Sequence, residues 1–453
     1  MEDAVTDRRN RKTSSAREAA ARALFAIEED GAWSAPAIQK QAAGLSQRDA
    51  ALVTTLVNGV LQHRSMCDFY LSHYSKIRLK KIQPRVLTVL RMAVYQMIWL
   101  ARIPDSAAVN ESVQLVKTLC HADSRTAGYV NGMLRTISRN REQLPQPNCA
   151  TKEEFYSLFY STPRWLTKLY IEQFGERETR LLLEANNQPA PTVLRVNTRS
   201  ANTESVFAEL LERGVEVQKH RAIPNCLLVH GTGAIERLPC FAEGRVTVQD
   251  GASQMSIYAL DPQPDSTMLD CCAAPGGKSF FASERMNGTG VIRSCDIYDH
   301  KCRKIEQGAQ RLGCNNITAC VQDATEFRPE WEEGADYVLC DVPCSGLGII
   351  RKKPEIRYKD PAELEQLPKI QRKILDNCSR YVKKGGTLVY STCTILRREN
   401  EAVVEEFLRI HPDFEKVSFS LPVCGECEGG MVTLLPHRHE TDGFFVAKFR
   451  KID

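Results

Sequence analysis

Three observations predict a multidomain protein with an all-α N-terminal domain, a small α+β middle module and a C-terminal α/β domain of the Rossmann-like, doubly wound kind. Apolar residues recur at helical spacing from Ser14 to about Arg141. Short strand-like runs interrupted by one helical stretch follow, up to about residue 250. From Thr267 onward, strand and helix alternate, as a mostly parallel sheet with helices on both faces requires. The length of 453 residues agrees, because at about 100–200 residues per domain it accommodates two or three.

Taken in order, residues 1–13 ("MEDAVTDRRNRKT") carry basic residues and lack the apolar core of a signal peptide, so a disordered tail and a cytoplasmic location are expected. The helical domain spans 14–141. "SSAREAAARALFAIEE" opens with serine caps, and Val86, Leu90, Ala93, Met97 and Leu100 hold the helical spacing on a later helix. Pro104 stops that pattern, and "DSAAVNESVQLVKTL" restarts it with Asp105 or Ser106 expected as the cap. Residues 142–151, which contain Pro145 and Pro147, read as a linker. The α+β module spans 152–250, with strands at "TVLRVNT", "VEVQKH", "CLLVHG" and "RVTVQD" and a helix at "TESVFAELLERG". The last domain spans 251–453, with strands at "TMLD", "GVIRSCD", "NITACVQD", "DYVLCD", "GTLVYST" and "GFFVAKFR".

Composition excludes several classes. The longest apolar stretch, Arg85 to Leu100, contains Arg91 and Gln96 and falls short of the roughly 18 apolar residues that cross a bilayer, so no membrane span is expected. Seventeen cysteines scattered through a long chain read as reduced thiols rather than as a disulfide scaffold. The single C-x-x-C, Cys424 to Cys427, has neither a second pair nor a histidine at zinc-finger spacing, and no metal is expected. A net charge of +4 says little, but the cations cluster at Arg8 to Lys12, at Lys76 to Lys81 and at Arg351 to Lys353. Lys76, Arg78, Lys80 and Lys81 are candidate phosphate contacts.

Chemistry concentrates where the last domain's strands end, which is where open α/β sheets bind ligands. The first turn, "DCCAAPGGKS", offers Ala273, Ala274, Gly276 and Gly277, small enough for close approach of backbone to a ligand, and opens a helix at about Lys278. It lacks the glycine that a triphosphate loop places six residues before the lysine. Asp296 and Asp323 end the next two strands. A carboxylate at the first of these positions suits a ribose, and one at the second an adenine amino group. A single aspartate there reads equally well as a helix cap, but carboxylates recur at four strand ends in succession. The fourth strand end supplies Asp341 and Cys344, and the fifth Thr392 and Cys393.

"DCCAAPGGK", "CDVPCSGLG", "YSTCT" followed by "ENEAVV", and "DGFFVAKF" together resemble the RNA cytosine-5 methyltransferases that use S-adenosylmethionine. The helical domain, with "RIPDSAAVNESV", is similar to NusB-type RNA-binding domains. A NusB-like domain ahead of a SAM-dependent methyltransferase domain is the arrangement of the RsmB (Sun/Fmu) family, which acts on 16S ribosomal RNA. The resemblance implies S-adenosylmethionine as cofactor and 16S ribosomal RNA as partner; a monomer without a protein partner is expected. It places Cys272, Ala273, Ala274, Pro275, Gly276, Gly277 and Lys278 around the methionine part of the cofactor, Asp296 at the ribose and Asp323 at the adenine. Asp341 would lie between cofactor and target base, and "IIRKKPEIR" would form a basic loop near the RNA. Transfer RNA is the alternative substrate, since the catalytic motifs are shared; a non-catalytic RNA-binding factor is the alternative from another class.

Carbon 5 of cytosine is too weak a nucleophile to take a methyl group unaided, and a thiolate adding at carbon 6 activates it. Cys344 and Cys393 both satisfy that requirement, and chemistry alone does not separate them. The resemblance nominates Cys393, in the Thr-Cys motif, as the attacking residue and Cys344 as the residue that assists release. Cys340, inside the strand, reads as core.

Overall fold

The computed structural model describes residues 15–231 and 235–452, and the expected tail at 1–13 lies outside them. Two compact units are present. Of the described residues, the first comprises those up to Asn187 together with Lys353–Tyr358, and the second those from Gln188 to Lys352 and from Lys359 onward. Among the described residues, no helix is long and apolar enough to cross a membrane.

Among the described residues, the regular elements of the first unit are all helices. Ser15 caps the helix Ala16–Asp30 by accepting from the Glu18 N–H, and Gly31 ends it at φ +65°. Six further helices follow, at Ser34–Ala42, Gln47–Gln62, Arg64–Tyr74, Pro84–Trp99, Asp105–Leu119 and Ser124–Arg139. The helix Pro84–Trp99 runs through the core, burying Val86, Val89, Leu90, Ala93 and Met97. Arg91 interrupts that apolar face at no cost in unpaired charge, because Asp68 (2.7 Å) and Glu28 (3.0 Å) both accept from it. Asp105 does not cap its helix as expected. It is the first helical residue, and its carboxylate instead accepts from Ser138 Oγ and Arg141, tying the first turn to the helix Ser124–Arg139. The helices Lys152–Phe159 and Arg164–Asn186, read from sequence with the α+β module, also fall in this unit.

The segment Lys353–Tyr358 completes the unit. Glu355 accepts from both the N–H and the Oγ of Ser34 (2.9 Å each), supplying the cap that Trp33 cannot give the helix Ser34–Ala42. Arg357, fully buried, donates to the Tyr160 carbonyl and the Asn187 side chain (3.0 Å each), and the Tyr358 hydroxyl donates to the Leu61 carbonyl (2.7 Å). The expected RNA-facing loop "IIRKKPEIR" is thus largely occupied within the protein. Lys352, in the second unit, is likewise ion-paired with Asp250 and Asp442, and Arg351 donates to the Pro189 carbonyl. Local sequence shows only the cations; the acceptors come from distant parts of the chain.

The second unit holds two main sheets. Strands β1 (Thr192–Val196), β2 (Glu216–Lys219), β3 (Cys226–His230) and β4 (Val246–Val248) pair antiparallel in the order β2-β3-β1-β4, with the helix Thr203–Glu212 contributing Val206 and Leu210 to their core. The larger sheet uses β5 (Thr267–Asp270), β6 (Val291–Asp296), β7 (Ile317–Val321), β8 (Ala335–Asp341) and β9 (Val382–Thr392) in parallel. Of the last strands, β10 (Phe414–Lys416), β13 (Met431–Leu434) and β14 (Phe444–Lys451) extend it antiparallel beyond β9, while β11 (Phe419–Leu421) and β12 (Gly425–Cys427) form a separate hairpin. Its order is β10-β14-β9-β8-β5-β6-β7, so the chain winds one way from β5 to β7 and the other way from β8 to β9. The crevice between β5 and β8 is therefore the topological switch point.

The two sheets are joined by a buried ion pair. Arg195 of β1 reaches Glu284 on the helix Gly277–Arg285, donates to Gln249 Oε1 (2.7 Å) and stacks on the Phe281 ring at 4.7 Å. Replacing Arg195 by leucine strands the Glu284 carboxylate in the interior and is expected to cost about 3–5 kcal/mol. The double variant Arg195→Leu, Glu284→Gln should recover much of this, as read from denaturant midpoints. Equal losses in the single and double variants would show that the pair contributes packing alone.

Candidate active site

The turn after β5 lies at the switch point. Gly276, at φ +104°, begins the helix Gly277–Arg285, and a Cβ there would sit 2.4 Å from the Phe280 ring, so only glycine fits without displacing that ring. The Ala273 N–H donates to the Cys295 carbonyl (2.7 Å), and Gly276 N–H donates back to Ala273 (2.7 Å), which anchors the turn to β6. Asp270 accepts from Ser279 Oγ (2.7 Å), which in turn accepts from Ser294 Oγ (2.8 Å). Cys272 lines the same turn, and burial together with the surrounding carboxylates pushes its thiol well up.

Burial pushes the Asp270 carboxyl up to about 7, against the opposing Ser279 hydrogen bond and Lys278 charge. A carboxyl raised in the folded state stabilises it below the unfolded value of 3.8, and that contribution is lost as pH rises through about 7. From pH 4 to 8 this single group is expected to remove up to roughly 4 kcal/mol. Denaturant midpoints at pH 5 and pH 8 should therefore differ less in Asp270→Asn than in the unsubstituted protein. An unchanged difference would place the pH dependence elsewhere.

Lys278 points from the turn to β8, where its Nζ donates to Asp341 Oδ2 at 2.6 Å, while Ser391 Oγ donates to Asp341 Oδ1 at 2.8 Å. Burial works against the Lys278 charge, but Asp341 more than offsets it and holds the ammonium above the usual lysine range. Asp341 thus ties the turn after β5 to the end of β9. Asp296 and Asp323 each use Oδ1 to accept a backbone N–H two residues on, from Tyr298 (3.1 Å) and Thr325 (2.8 Å), and Lys301 also approaches Asp296 at 3.4 Å. Beside them the exposed apolar side chains Ile297, Tyr298 and Val321 supply surface for a flat ring. Sequence reasoning passed over these three, although apolar residues next to a strand-end aspartate were the available signal.

The loops after β8 and β9 bring Cys344 Sγ and Cys393 Sγ to 3.2 Å, both thiols half-buried. The Cys344 thiol is pushed well up by its hydrogen bond to Cys393 and by burial. Gly348 N–H donates to the Cys393 carbonyl (2.9 Å) and Lys359 Nζ to the Ser345 carbonyl (3.0 Å), which fastens the Cys344 loop on both sides. The structure thus gathers the glycine turn, Asp341 and both cysteines at the β5/β8/β9 strand ends, with Asp296 and Asp323 along the β6/β7 ends of the same edge.

Other thiols also converge, among them Cys295 and Cys320, whose sulfurs lie 3.0 Å apart. Cys271, Cys340 and Cys378 place their sulfurs within 4.8 Å of one another, fully buried in the core, a convergence that sequence spacing did not reveal. Burial holds the Cys340 and Cys378 thiols well up, which suits protonated core residues. Cys424, exposed, and Cys427, buried, face each other at 3.8 Å on the β11–β12 hairpin.

Comparison with known proteins agrees with this layout. A family model described as 16S rRNA methyltransferase RsmB/F matches residues 257–450, one described as NusB family matches 14–139, and one described as a RsmF/B-like ferredoxin-like domain matches 162–236. A protein of Bacillus subtilis named as a probable ribosomal RNA small subunit methyltransferase B is 37% identical over 97% of this chain and 99% of its own. The ribosomal RNA small subunit methyltransferase B of Pectobacterium carotovorum is 32% identical over 90% of this chain and 92% of its own. The crystal structure of PH0851 superimposes with a TM-score of 0.80 at 29% identity, covering 96% of this chain and 98% of that one.

Proposed function

Because the chain belongs to the RsmB/F family of 16S rRNA methyltransferases, we propose that it methylates carbon 5 of a cytidine in 16S ribosomal RNA with S-adenosylmethionine as donor, through a covalent adduct on Cys393. The observation that carries this reading is the pair of thiols 3.2 Å apart beside the Lys278–Asp341 pair at the switch point.

The residues present fit the cofactor. The glycine turn admits a methionine moiety, Asp296 and Asp323 offer acceptors to ribose hydroxyls and an adenine amino group, and Ile297, Tyr298 and Val321 offer apolar surface to a purine. When bound, S-adenosylmethionine supplies an electrophilic methyl group. The Cys393 thiolate adds to carbon 6 of the base and pushes an electron pair onto carbon 5, which makes that carbon nucleophilic enough to accept a methyl group. Lys278 lies close enough to interact electrostatically with Cys393, so negative charge on that sulfur faces a cation. Asp341 orients the base by accepting from its exocyclic amino group. The carbon 5 proton then passes to solvent, its bonding pair re-forms the carbon 5–carbon 6 double bond and the Cys393 thiolate leaves with the sulfur–carbon pair, with Cys344 assisting this release from its place against Cys393.

The target base must be unpaired or flipped to reach these sulfurs. In the helical unit, a cavity of about 800 Å³ lined by Tyr74, Lys76, Lys81, His121, Arg125 and Tyr129 offers cations for phosphates and rings for bases. Lys76→Glu, Lys81→Glu is expected to weaken binding to 16S RNA about tenfold or more and to lower the salt-dependence slope by roughly two. Unchanged affinity and slope would remove this cavity from the RNA path.

The test of the reaction is tritium release. 16S RNA carrying 5-tritiated cytidine should lose one tritium to water for each methyl group gained. Methyl incorporation without tritium release, or methylation of transfer RNA in preference to 16S RNA, would overturn the reading.

A further inference from the structure

Behind the two thiols lies a set of buried polar groups that the reaction as described does not use. Glu399 and Asn400, both fully buried, precede the helix Glu401–Ile410. Glu399 Oε2 accepts from the Ser345 N–H (2.8 Å) and from Gln371 Nε2 (2.9 Å), and Gln371 Nε2 also donates to the Pro343 carbonyl (3.0 Å). The residues on either side of Cys344 are thereby tied to one carboxylate. Asn400 does the same for the other cysteine. Its Oδ1 accepts from Thr392 Oγ1 (2.6 Å) and its Nδ2 donates to the Thr394 carbonyl (3.0 Å), the residues on either side of Cys393.

The two brackets are joined. Ser345 Oγ donates to Thr394 Oγ1 (2.8 Å), Thr394 Oγ1 approaches Glu399 Oε1 (3.4 Å), and the Tyr390 hydroxyl fixes the Glu399 carbonyl (2.6 Å). A carboxylate in the interior is costly to keep. Apolar packing alone would not call for one here, whereas several convergent donors from two catalytic loops do. Misplacement of a reacting group by about 1 Å is enough to cost a large factor in rate.

We propose that Glu399 and Asn400 are positioning residues that set the two thiols in separate roles, Asn400 holding Cys393 for attack and Glu399 holding Cys344 for release of the methylated base. The proposal rests on the assignment of the two cysteines given above. The charges around the sulfurs point the same way. The hydrogen bond to Cys393, burial and the nearby Glu399 and Asp341 carboxylates all push the Cys344 thiol up, which keeps negative charge off that sulfur.

The experiment uses the full chain carrying Glu399→Gln, Gln371→Leu, Asn400→Ala, Cys344→Ala or Cys393→Ala. Methyl turnover and the fraction of protein held in covalent RNA adduct are measured together. Glu399→Gln and Gln371→Leu are expected to lower turnover at least tenfold while raising the adduct fraction, following Cys344→Ala. Asn400→Ala is expected to lower turnover and adduct together, following Cys393→Ala. Without RNA or cofactor, iodoacetamide labelling followed by mass spectrometry should show Cys344 reacting at lower pH in Glu399→Gln than in the unsubstituted protein, a shift that mere loosening would not confine to one sulfur. Turnover and adduct falling in equal proportion in Glu399→Gln, or an unchanged labelling profile, would overturn the proposal. If Glu399→Gln does not fold, Gln371→Leu decides by the same adduct ratio. A Cys344→Ala protein that accumulates no adduct would remove the cysteine assignment itself; accumulation there without accumulation in Glu399→Gln and Gln371→Leu removes only the role of Glu399.

Discussion

Cys393→Ala is expected to abolish both methyl transfer and the covalent protein–RNA complex, while Cys344→Ala keeps the complex and stalls its resolution. Loss of an attacking nucleophile costs on the order of 10⁴- to 10⁶-fold in turnover, because no neighbouring group substitutes for the bond it forms. The two sulfurs stand 3.2 Å apart, and the residues flanking each are bound to the same buried network, so neither replacement should move the other loop. Alanine fills less space than cysteine and introduces no polar group, which separates lost chemistry from lost structure. Denaturing gels of enzyme incubated with 16S RNA and S-adenosylmethionine read the complex directly. The reverse pattern, complex with Cys393→Ala and none with Cys344→Ala, would make the post-proline cysteine the nucleophile.

Gly348→Ala is also expected to damage methyl transfer, although glycine has no side chain to take part in the reaction. A Cβ at Gly348 would lie 2.1 Å from the Gly443 carbonyl oxygen and 2.8 Å from the Cys393 carbonyl oxygen. Both are backbone atoms, and Gly348 is hydrogen-bonded to each of these residues, donating to Cys393 (2.9 Å) and accepting from Gly443 (2.8 Å). The added methyl group therefore has to drive the Cys344 loop away from the end of β9. A stability loss of about 1–3 kcal/mol is expected from overpacking, together with at least a hundredfold loss of methyl transfer from the separated thiols. Gly429→Ala serves as control, since a Cβ there meets nothing within 4 Å. Full activity in Gly348→Ala would show that the two loops need no fixed separation.

The parts of the site that were legible in the sequence are those written locally. A glycine-rich turn after β5, aspartates at the ends of β6 and β8, Asp323 just beyond β7 and cysteines past β8 and β9 all sit at strand ends, and alternation of strand and helix makes strand ends visible. The sequence by itself does not separate Cys344 from Cys393, and the assignment of attack to Cys393 rests on resemblance to a family. What stayed hidden depends on partners far along the chain. Arg357 looks like a surface cation until the Tyr160 and Asn187 acceptors are seen around it, and Lys352 until Asp250 and Asp442 are. Asp105 looks like a cap because it follows a proline and precedes an apolar run, but Ser138 and Arg141 compete for its carboxylate. Strands β10 to β13, of three or four residues each, were not read from the sequence.

The placement of Lys353–Tyr358 in the helical unit has a consequence for synthesis of the protein. The Ser34 N–H, the Tyr160 carbonyl and the Leu61 carbonyl gain these partners only once Tyr358 has left the ribosome. At about 5–20 residues per second, the nascent helices wait on the order of ten to thirty seconds after Asn187 for the residues that finish them. During that interval the groove that receives Arg357 is open, and translation of the second unit proceeds before the first can close. Nascent chains halted after Asn187 should be cut by protease within this unit, and chains halted well beyond Tyr358 should resist.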